Sequence, residues 1–238
     1  MAGMAGWMRD EVASAGRENV DPGHVARYDA KEDAGADSEV ARLGGLGLTT
    51  GSVVVDIGAG TGQFALAVAP QCQRVVAVDV SPVMLDALRA RVVAAGVANV
   101  EVVQAGFLGY EHRGAPADLV YSRYALHHLP DFWKAVALSR IRRALRPGGV
   151  LRLCDVVYDF EPSEAADRIE AWCATGSADA DVEGDWTRAE LEEHVRDEHS
   201  TFTWLLEPMI RRCGFTIERA DHSEDGIVAA YLLRAHGL

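Results

Sequence analysis

The stretch that decides the fold runs from Val53 to Phe64 and reads Val-Val-Val-Asp-Ile-Gly-Ala-Gly-Thr-Gly-Gln-Phe. A continuous β-branched run is typical of a strand that is buried on both faces of a parallel sheet. The alternating glycines permit left-handed backbone angles and let a ligand approach the main chain closely. A helix beginning after Gly62 would direct its free N–H groups toward that turn. The stretch therefore predicts a strand, a ligand-binding turn and a helix.

The glycine spacing separates two classes of cofactor. Dinucleotide-binding enzymes use G-x-G-x-x-G and place a pyrophosphate on the helix N-terminus. Here the spacing is G-x-G-x-G, and Asp56 stands two residues before the first glycine. A carboxylate would repel a pyrophosphate, whereas it suits a ligand with a positively charged end. The pattern therefore disfavours a nicotinamide-dependent oxidoreductase.

The segment Asp56–Gly62 resembles motif I of the class I S-adenosylmethionine (SAM)-dependent methyltransferases. The resemblance implies an α/β fold with a doubly wound, mostly parallel seven-stranded sheet, the Rossmann-like methyltransferase fold. It implies S-adenosylmethionine as the cofactor and S-adenosylhomocysteine as its product. The cofactor-binding residues that it implies in this motif are Asp56, Gly58, Ala59 and Gly60.

A second acid follows the next predicted strand, Arg74 to Asp79. In a doubly wound sheet the carboxyl ends of the strands line the ligand crevice, where Asp79 could accept hydrogen bonds from both ribose hydroxyls. The segment from Asp79 to Leu85 resembles motif II of the same family, which implies that Val80 and Met84 flank the adenine. An ordinary acid at a helix N-terminus is the alternative interpretation of Asp79.

The third predicted strand, Val100 to Gln104, is followed by Gly106 and Phe107. The family commonly has an acid here that bonds the adenine amino group, and Gly106 stands at the aligned position. The departure from the family pattern leaves adenine recognition to backbone groups and to Phe107.

The run that leaves the fourth predicted strand, 122–130, reads Ser-Arg-Tyr-Ala-Leu-His-His-Leu-Pro. It resembles the motif IV region of small-molecule methyltransferases and differs from the N-P-P-Y type used on nucleobase amines. Ser122 and Arg123 are therefore expected at the cofactor, and His127 and His128 near the acceptor. Histidine is suited to general-base catalysis at neutral pH. Adjacent imidazoles on a regular helix or strand face different ways, so His127 is the first candidate base and the other ring would pack or cap.

Two further candidates lie outside these motifs. Tyr28 is similar to an aromatic residue that many small-molecule methyltransferases place near the transferred methyl, and His199 is a second candidate base. Packing or capping is the alternative role of each. We predict one domain over residues 1–238, with an N-terminal helical cap at 1–50 and a helical lid insertion at 158–212 between strands 5 and 6.

Composition restricts the partners. The chain has 238 residues, of which 49% are hydrophobic and 25% charged, and this composition is ordinary for a globular protein. The net charge is −13. Only two residues are lysines and the arginines are scattered, so neither nucleic acid nor an anionic membrane is an expected partner. No run approaches the roughly 20 apolar residues of a membrane span, and the N-terminus lacks the basic start of a signal peptide.

The four cysteines form no C-x-x-C pair, and no histidine–cysteine group has zinc-finger spacing. We therefore expect no metal site, isolated thiols and a cytoplasmic location. The sequence leaves a monomer and a homodimer both open.

Together these patterns predict an enzyme that transfers a methyl group from S-adenosylmethionine to an O, N or C atom of a small organic molecule. One alternative is a nucleic-acid or protein methyltransferase, which a basic groove or a recognition appendage would support. The other is a non-catalytic SAM-binding partner subunit, which an intact glycine turn does not exclude.

Overall fold

The computed structural model describes residues 6–13, 15, 25, 35–177 and 186–237. The helices in these ranges are α1 Ala36–Gly44, α2 Gln63–Val68, α3 Pro82–Ala95, α4 Asp131–Ala144, α5 Ala165–Cys173, α6 Arg188–Asp197 and α7 Thr203–Arg212. The strands are β1 Val53–Ile57, β2 Arg74–Asp79, β3 Val100–Gln104, β4 Ala117–Arg123, β5 Leu145–Tyr158, β6 Thr201–Phe202, β7 Phe215–His222 and β8 Val228–Ala235. None of the helices in these ranges combines the length and apolar character of a membrane span.

The main sheet has the order β3-β2-β1-β4-β5-β8-β7. Strands β1 to β5 pair in parallel, and β8 is antiparallel to both β5 and β7. This confirms the predicted doubly wound, mostly parallel seven-stranded sheet, which the antiparallel pair β7 and β8 completes. The sequence did not predict β6, a two-residue strand that pairs in parallel with the end of β5.

Helices cover both faces of the sheet. All five residues of β1 are buried. Val55 and Ile57 belong to a hydrophobic cluster that includes residues of α4 and α7, whereas Val54 belongs to a second cluster with residues of α1, α2 and α3. Because successive side chains of a strand alternate between faces, a strand covered on both sides is apolar throughout. This burial explains the uninterrupted valine run.

The predicted lid insertion, 158–212, contains two kinds of structure. Helices α5 and α6 contact each other, and residues 178–185 between them lie outside the described ranges. Helix α7 instead belongs to the main core, where Leu206 and Ile210 are almost fully buried. The part of the segment that is peripheral to the core therefore ends before Thr203. Much of the predicted N-terminal cap, 1–50, falls outside the described residues, but α1 packs against α2.

The glycine turn after β1 fits into very little space. Gly58 and Gly62 both have positive φ, 77° and 87°. A Cβ atom on Gly58 would lie 2.4 Å from the Ala125 Cβ, and one on Gly62 would lie 2.0 Å from Cδ1 of Leu88 in α3. These contacts leave no room for a side chain, so glycine is required for both backbone angle and space.

We predict that Gly62→Ala lowers the free energy of unfolding by about 2–4 kcal/mol, because the strained φ and the overlap with Leu88 add together. Gly96→Ala is the matched control, since Gly96 also has a positive φ, 63°, but no atom within 4 Å of the added Cβ. That control should lose only about 1–2 kcal/mol. Urea denaturation of both variants measures the difference, and equal losses would contradict the steric argument.

Candidate active site

Two adjoining cavities lie at the carboxyl edge of the parallel strands. The first has a volume of about 620 Å³ and the second about 400 Å³, and Gly58, Gly60 and Tyr124 line both. The sequence-predicted residues on the first are Asp79, Val80, Gly106, Phe107 and His128. Those on the second are Asp56, Ala59 and Arg123. The glycine turn thus separates two lobes of one site at the position expected for ligands of an open α/β sheet.

Asp79 lies on the wall of the first cavity and is held by backbone donors. Its Oδ2 accepts a hydrogen bond from the Gly60 N–H at 2.9 Å, and its Oδ1 accepts one from the Ser81 N–H at 2.8 Å. Burial raises the pKa of Asp79, although these backbone donors oppose the shift. The carboxylate is therefore fixed in orientation beside the cavity.

Asp56 lies on the wall of the second cavity and is only 1% exposed. Its Oδ2 is buried without a hydrogen-bond partner among the described residues. Burial, reinforced by the charge of Asp79, raises the pKa of Asp56 to about 8. A buried carboxyl group with an unused acceptor oxygen is suited to a cationic ligand group, which would favour its ionised form.

An acid that the sequence analysis missed contacts the loop after β3. The Glu11 carboxylate accepts hydrogen bonds from the N–H groups of Leu108 and Gly109, at 3.0 Å each to Oε2. A Cβ atom on Gly106 would lie 2.4 Å from Oε1 of Glu11. The carboxylate therefore occupies the space that a side chain at position 106 would take. Burial raises the pKa of Glu11, and the backbone donors oppose this shift.

Other predicted site residues lie elsewhere. Met84 and Ser122 are buried, at 1% and 0% exposure, and neither is among the residues lining the two cavities. Met84 donates its backbone N–H to Ser81 Oγ, the N-cap of α3, which places it inside the first turn of that helix. Tyr28 lies outside the described residues.

Tyr124 marks the junction of the two cavities. It has a φ of 49°, the one positive value among the described non-glycine residues. Its N–H donates to the Cys154 carbonyl at 2.9 Å, and the Arg123 guanidinium lies 4.4 Å from its ring centroid. Backbone strain of this kind costs about 1–3 kcal/mol and often occurs at ligand sites. The sequence carried no signal of this strain.

His127 is buried between two carboxylates. Its Nδ1 lies 2.5 Å from Asp155 Oδ1, and its Nε2 lies 3.0 Å from Glu198 Oε2. Burial alone would lower the pKa of His127, but Asp155 and Glu198 outweigh it and raise the pKa to about 10. With both nitrogens engaged, His127 is not among the cavity-lining residues. The first candidate base is therefore placed behind the cavity.

His128 is the imidazole that lines the first cavity. Burial and the charge of His127 lower its pKa to about 3, so the ring is neutral. Its Nδ1 lies 3.8 Å from Glu198 Oε1, and the two adjacent rings are 4.3 Å apart. The two adjacent rings, in the 3-10 turn Leu126–His128, therefore occupy different places, with His128 on the cavity wall and the first candidate base, His127, behind it.

His199 lies outside the walls of the two cavities, and its backbone and ring contact other residues. Its N–H donates to the His127 carbonyl at 2.9 Å, and its own carbonyl accepts from Lys134 Nζ. Its ring Nε2 lies 3.2 Å from an Arg9 nitrogen, and it is not among the cavity-lining residues. Burial and Arg9 lower the pKa of His199. The backbone of His199 thus fixes the preceding residue, Glu198, against the two histidines.

Three titratable residues of this cluster, Asp155, His194 and Glu198, were not among the site residues predicted from the sequence. Asp155 accepts from the N–H groups of Leu126 and His127, at 2.8 and 3.2 Å, while His194 Nδ1 lies 2.5 Å from Glu198 Oε2. An acid inside the apolar strand β5 was the available signal for Asp155. The i, i+4 spacing of His194 and Glu198 was the signal for that pair.

Comparisons with known proteins agree with this geometry. Residues 54–149 match the protein family described as "Methyltransferase domain". An uncharacterized methyltransferase of Mycobacterium tuberculosis is 32% identical over 157 residues, which cover 60% of this chain and 75% of the relative. The chain belongs to the class I SAM-dependent methyltransferase family.

Two further comparisons describe how far the similarity extends. An uncharacterized methyltransferase of Bacillus subtilis is 34% identical over 46% of this chain, but the match spans only 42% of that relative's length. The N-methyltransferase NodS from Bradyrhizobium japonicum, solved with S-adenosyl-L-homocysteine, has 17% identity and a TM-score of 0.58, with 84% of this chain and 85% of that chain covered. That similarity supports the methyltransferase fold.

The cofactor of the methyltransferase family is S-adenosylmethionine, and the residues present fit it. Asp79, whose carboxylate is held by backbone donors, lines one lobe, and Asp56, which has an orphaned carboxyl oxygen, lines the other. A ribose needs acceptors for its hydroxyls, and an ammonium group needs an anionic partner. The two lobes meet where Gly58 leaves the backbone accessible.

We predict that Asp56 makes the cofactor-free protein less stable as pH rises. Its folded pKa, about 8, lies above the model value of 3.8. The contribution of Asp56 to the free energy of unfolding is thus complete below the pKa that this group has in the unfolded chain. It is lost as pH rises through the pKa of the folded state, by up to about 1.4 kcal/mol per pH unit. Urea denaturation across this pH range should show a smaller decline for Asp56→Asn than for the wild type. The exposed-site control Asp86→Asn should follow the wild type, and parallel curves for all three proteins would contradict the prediction.

Proposed function

We propose that the protein transfers a methyl group from S-adenosylmethionine to an oxygen, nitrogen or carbon atom of a small organic molecule. The observation that carries the proposal is the meeting of the two cavities at Gly58, Gly60 and Tyr124, with His128 on the wall of the larger one. When bound, SAM supplies an electrophilic methyl group on its sulfonium.

The protein would act chiefly by positioning and by excluding water. Methyl transfer by in-line displacement needs the acceptor atom about 3–3.5 Å from the methyl carbon, and it needs no covalent enzyme intermediate. Asp79 would orient the cofactor's ribose, and Asp56 its positively charged end. Tyr124, at the junction of the lobes, would limit the approach of the acceptor.

The histidines divide their roles under this proposal. His128 faces the cavity as a neutral ring, so it would accept a hydrogen bond from the acceptor or orient it. An imidazole of such low pKa is a weak base, so it would deprotonate an alcohol to only a small extent at neutral pH. His127, whose nitrogens contact Asp155 and Glu198, would be a positioning residue for its neighbour.

The cover over the first cavity and the charge of the chain support a small acceptor. Glu11 and Ala15 of the N-terminal segment lie on the wall of that cavity. A macromolecular acceptor needs an open approach, and a nucleic acid needs clustered basic residues as well, whereas the net charge is −13.

A nucleic-acid or protein acceptor and a non-catalytic SAM-binding subunit remain the alternatives to this proposal. The first would require label transfer to a macromolecule, and the second would require cofactor binding without turnover. Cofactor titration and methyl-label transfer distinguish these two outcomes from transfer to a small molecule.

We predict that the protein binds S-adenosylhomocysteine and not NAD, and that Asp79→Ala weakens binding at least tenfold by removing the acceptor for the ribose hydroxyls. Calorimetric titration measures both ligands. Asp86→Ala is the matched control, because Asp86 is exposed on α3 and its side chain pairs with Arg89 one turn along the same helix. Preference for NAD, or equal loss in both variants, would contradict the assignment of the cofactor site.

We further predict that methyl-labelled S-adenosylmethionine labels small hydroxyl, amine or thiol compounds in a mixed acceptor panel. RNA, DNA and a denatured-protein mixture are included in the same assay. Label in a small-molecule fraction supports the proposed acceptor class. Label only in a macromolecular fraction, or binding of the cofactor with no label transfer to any acceptor, would contradict it.

A further inference from the structure

A group of metal-ligating side chains lies beside the first cavity. His127 and His128 come from the turn after β4, and Glu198 comes from the C-cap of α6. One ligand atom from each of these three residues lies within 4.8 Å of the other two. Two imidazoles and a carboxylate are the ligand types that bind zinc and similar divalent ions in catalytic sites.

We propose that His127, His128 and Glu198 bind one divalent transition-metal ion of the zinc class at the edge of the cofactor cavity. Three protein ligands leave at least one coordination position for another molecule, as in catalytic zinc sites. No metal site is expected from the sequence, because the spacing of cysteines and histidines along the chain does not show which side chains meet in the fold.

The spacing of the ligand atoms fits a small ion. Metal–ligand bonds of about 2.0–2.2 Å in a tetrahedral site separate the ligand atoms by roughly 3.3 Å. His127 Nε2 lies 3.0 Å from Glu198 Oε2, and His128 Nδ1 lies 3.8 Å from Glu198 Oε1. These two distances involve different oxygens of Glu198, and one ligand atom from each residue lies within 4.8 Å of the other two, so the side chains would rotate to direct three atoms at one ion.

A second carboxylate orients the first ligand. Asp155 is 1% exposed and lies 2.5 Å from His127 Nδ1, which leaves Nε2 directed at the group. A carboxylate on the far nitrogen of a ligating histidine fixes the tautomer and increases the basicity of the other nitrogen. Asp155 is itself fixed by the N–H of Val156 at 2.8 Å.

The Glu198 carboxylate is also placed as a ligand would be. Its Oε2 is buried near two imidazole nitrogens, His127 Nε2 at 3.0 Å and His194 Nδ1 at 2.5 Å. Even so, it accepts no hydrogen bond of regular geometry within the described part of the chain. A buried carboxylate oxygen normally accepts at least one hydrogen bond. Because no N–H group of regular geometry points at Glu198 Oε2, a bound cation would satisfy this oxygen.

The backbone around Glu198 is firmly held. The next residue, His199, donates its N–H to the His127 carbonyl and accepts from Lys134 Nζ through its own carbonyl. Lys134 is itself 2% exposed and pairs with Asp131 at 3.1 Å. Glu198 is thus held next to the turn that carries His127 and His128. This backbone connection preorganises the three proposed ligands.

The position of the ion would bear on the acceptor. His128 lines the first cavity, so an open coordination position there would face the ligand space. This consequence rests on the proposed function, and it points to acceptors with a lone-pair donor such as a thiol, a hydroxyl or an amine. The metal site itself does not depend on methyl transfer and is tested separately.

The test is zinc binding by the full chain without a histidine tag, after chelator treatment and removal of the chelator. Calorimetric titration with zinc chloride gives stoichiometry and affinity, and cobalt(II) gives visible absorption bands that report the ligand environment. We expect one site per chain. Glu198→Gln keeps the side-chain size and should weaken binding at least tenfold, as should His128→Gln.

Glu192→Gln is the matched control for the carboxylate, since Glu192 lies on α6 and pairs with the exposed Arg188. His222→Gln is the control for the imidazole, because His222 lies on β7 beside Asp159. Both controls should bind zinc as the wild type does. Substoichiometric binding by the wild type, or equal affinity in Glu198→Gln and Glu192→Gln, would overturn the metal site.

Titration of the same metal-free protein with S-adenosylhomocysteine separates this inference from the proposed function. Cofactor binding without zinc binding overturns the metal site and leaves the methyltransferase proposal intact. Zinc binding that is lost in Glu198→Gln, without cofactor binding, supports the metal site and overturns the proposal for the cofactor cavity.

Discussion

The close contact between the glycine turn and its two neighbours is the constraint on which the site depends. Gly58 lies against Ala125 and Gly62 against Leu88, at distances that exclude any side chain. The turn therefore brings the end of β1, the loop after β4 and helix α3 together without intervening atoms. Because the same backbone lines both cavities, the packing that stabilises the fold also shapes the cofactor site.

Asp155 plays a comparable part in the turn after β4. Its carboxylate bonds two successive backbone N–H groups of the turn after β4 and also contacts His127 Nδ1. A buried carboxylate is stable only when such donors or cations satisfy it. Burial would raise the pKa of Asp155, but His127 and the Val156 N–H outweigh burial and lower it. One side chain thus fixes both the shape of the turn and the orientation of its histidine.

The acidic groups around the cavities differ in charge because their surroundings differ. Asp56 has few donors, so burial and Asp79 raise its pKa, whereas Glu198 lies among imidazoles that lower its pKa against the effect of burial. The second cavity therefore has on its wall a carboxyl group that a cation would ionise, whereas Glu198, beside the first cavity, is held in its charged form by its neighbours.

The sequence by itself determined the sheet, the glycine turn and the placement of Asp56 and Asp79, because strand periodicity and glycine chemistry act over a few neighbouring residues. Only the tertiary structure decided that α7 is a core helix, that Glu11 fills the space beside Gly106 and that Glu198 meets His127 and His128. These contacts join residues that are far apart in the chain. No local pattern specifies such a partner, since long-range packing chooses among many exposed acids that look alike in sequence.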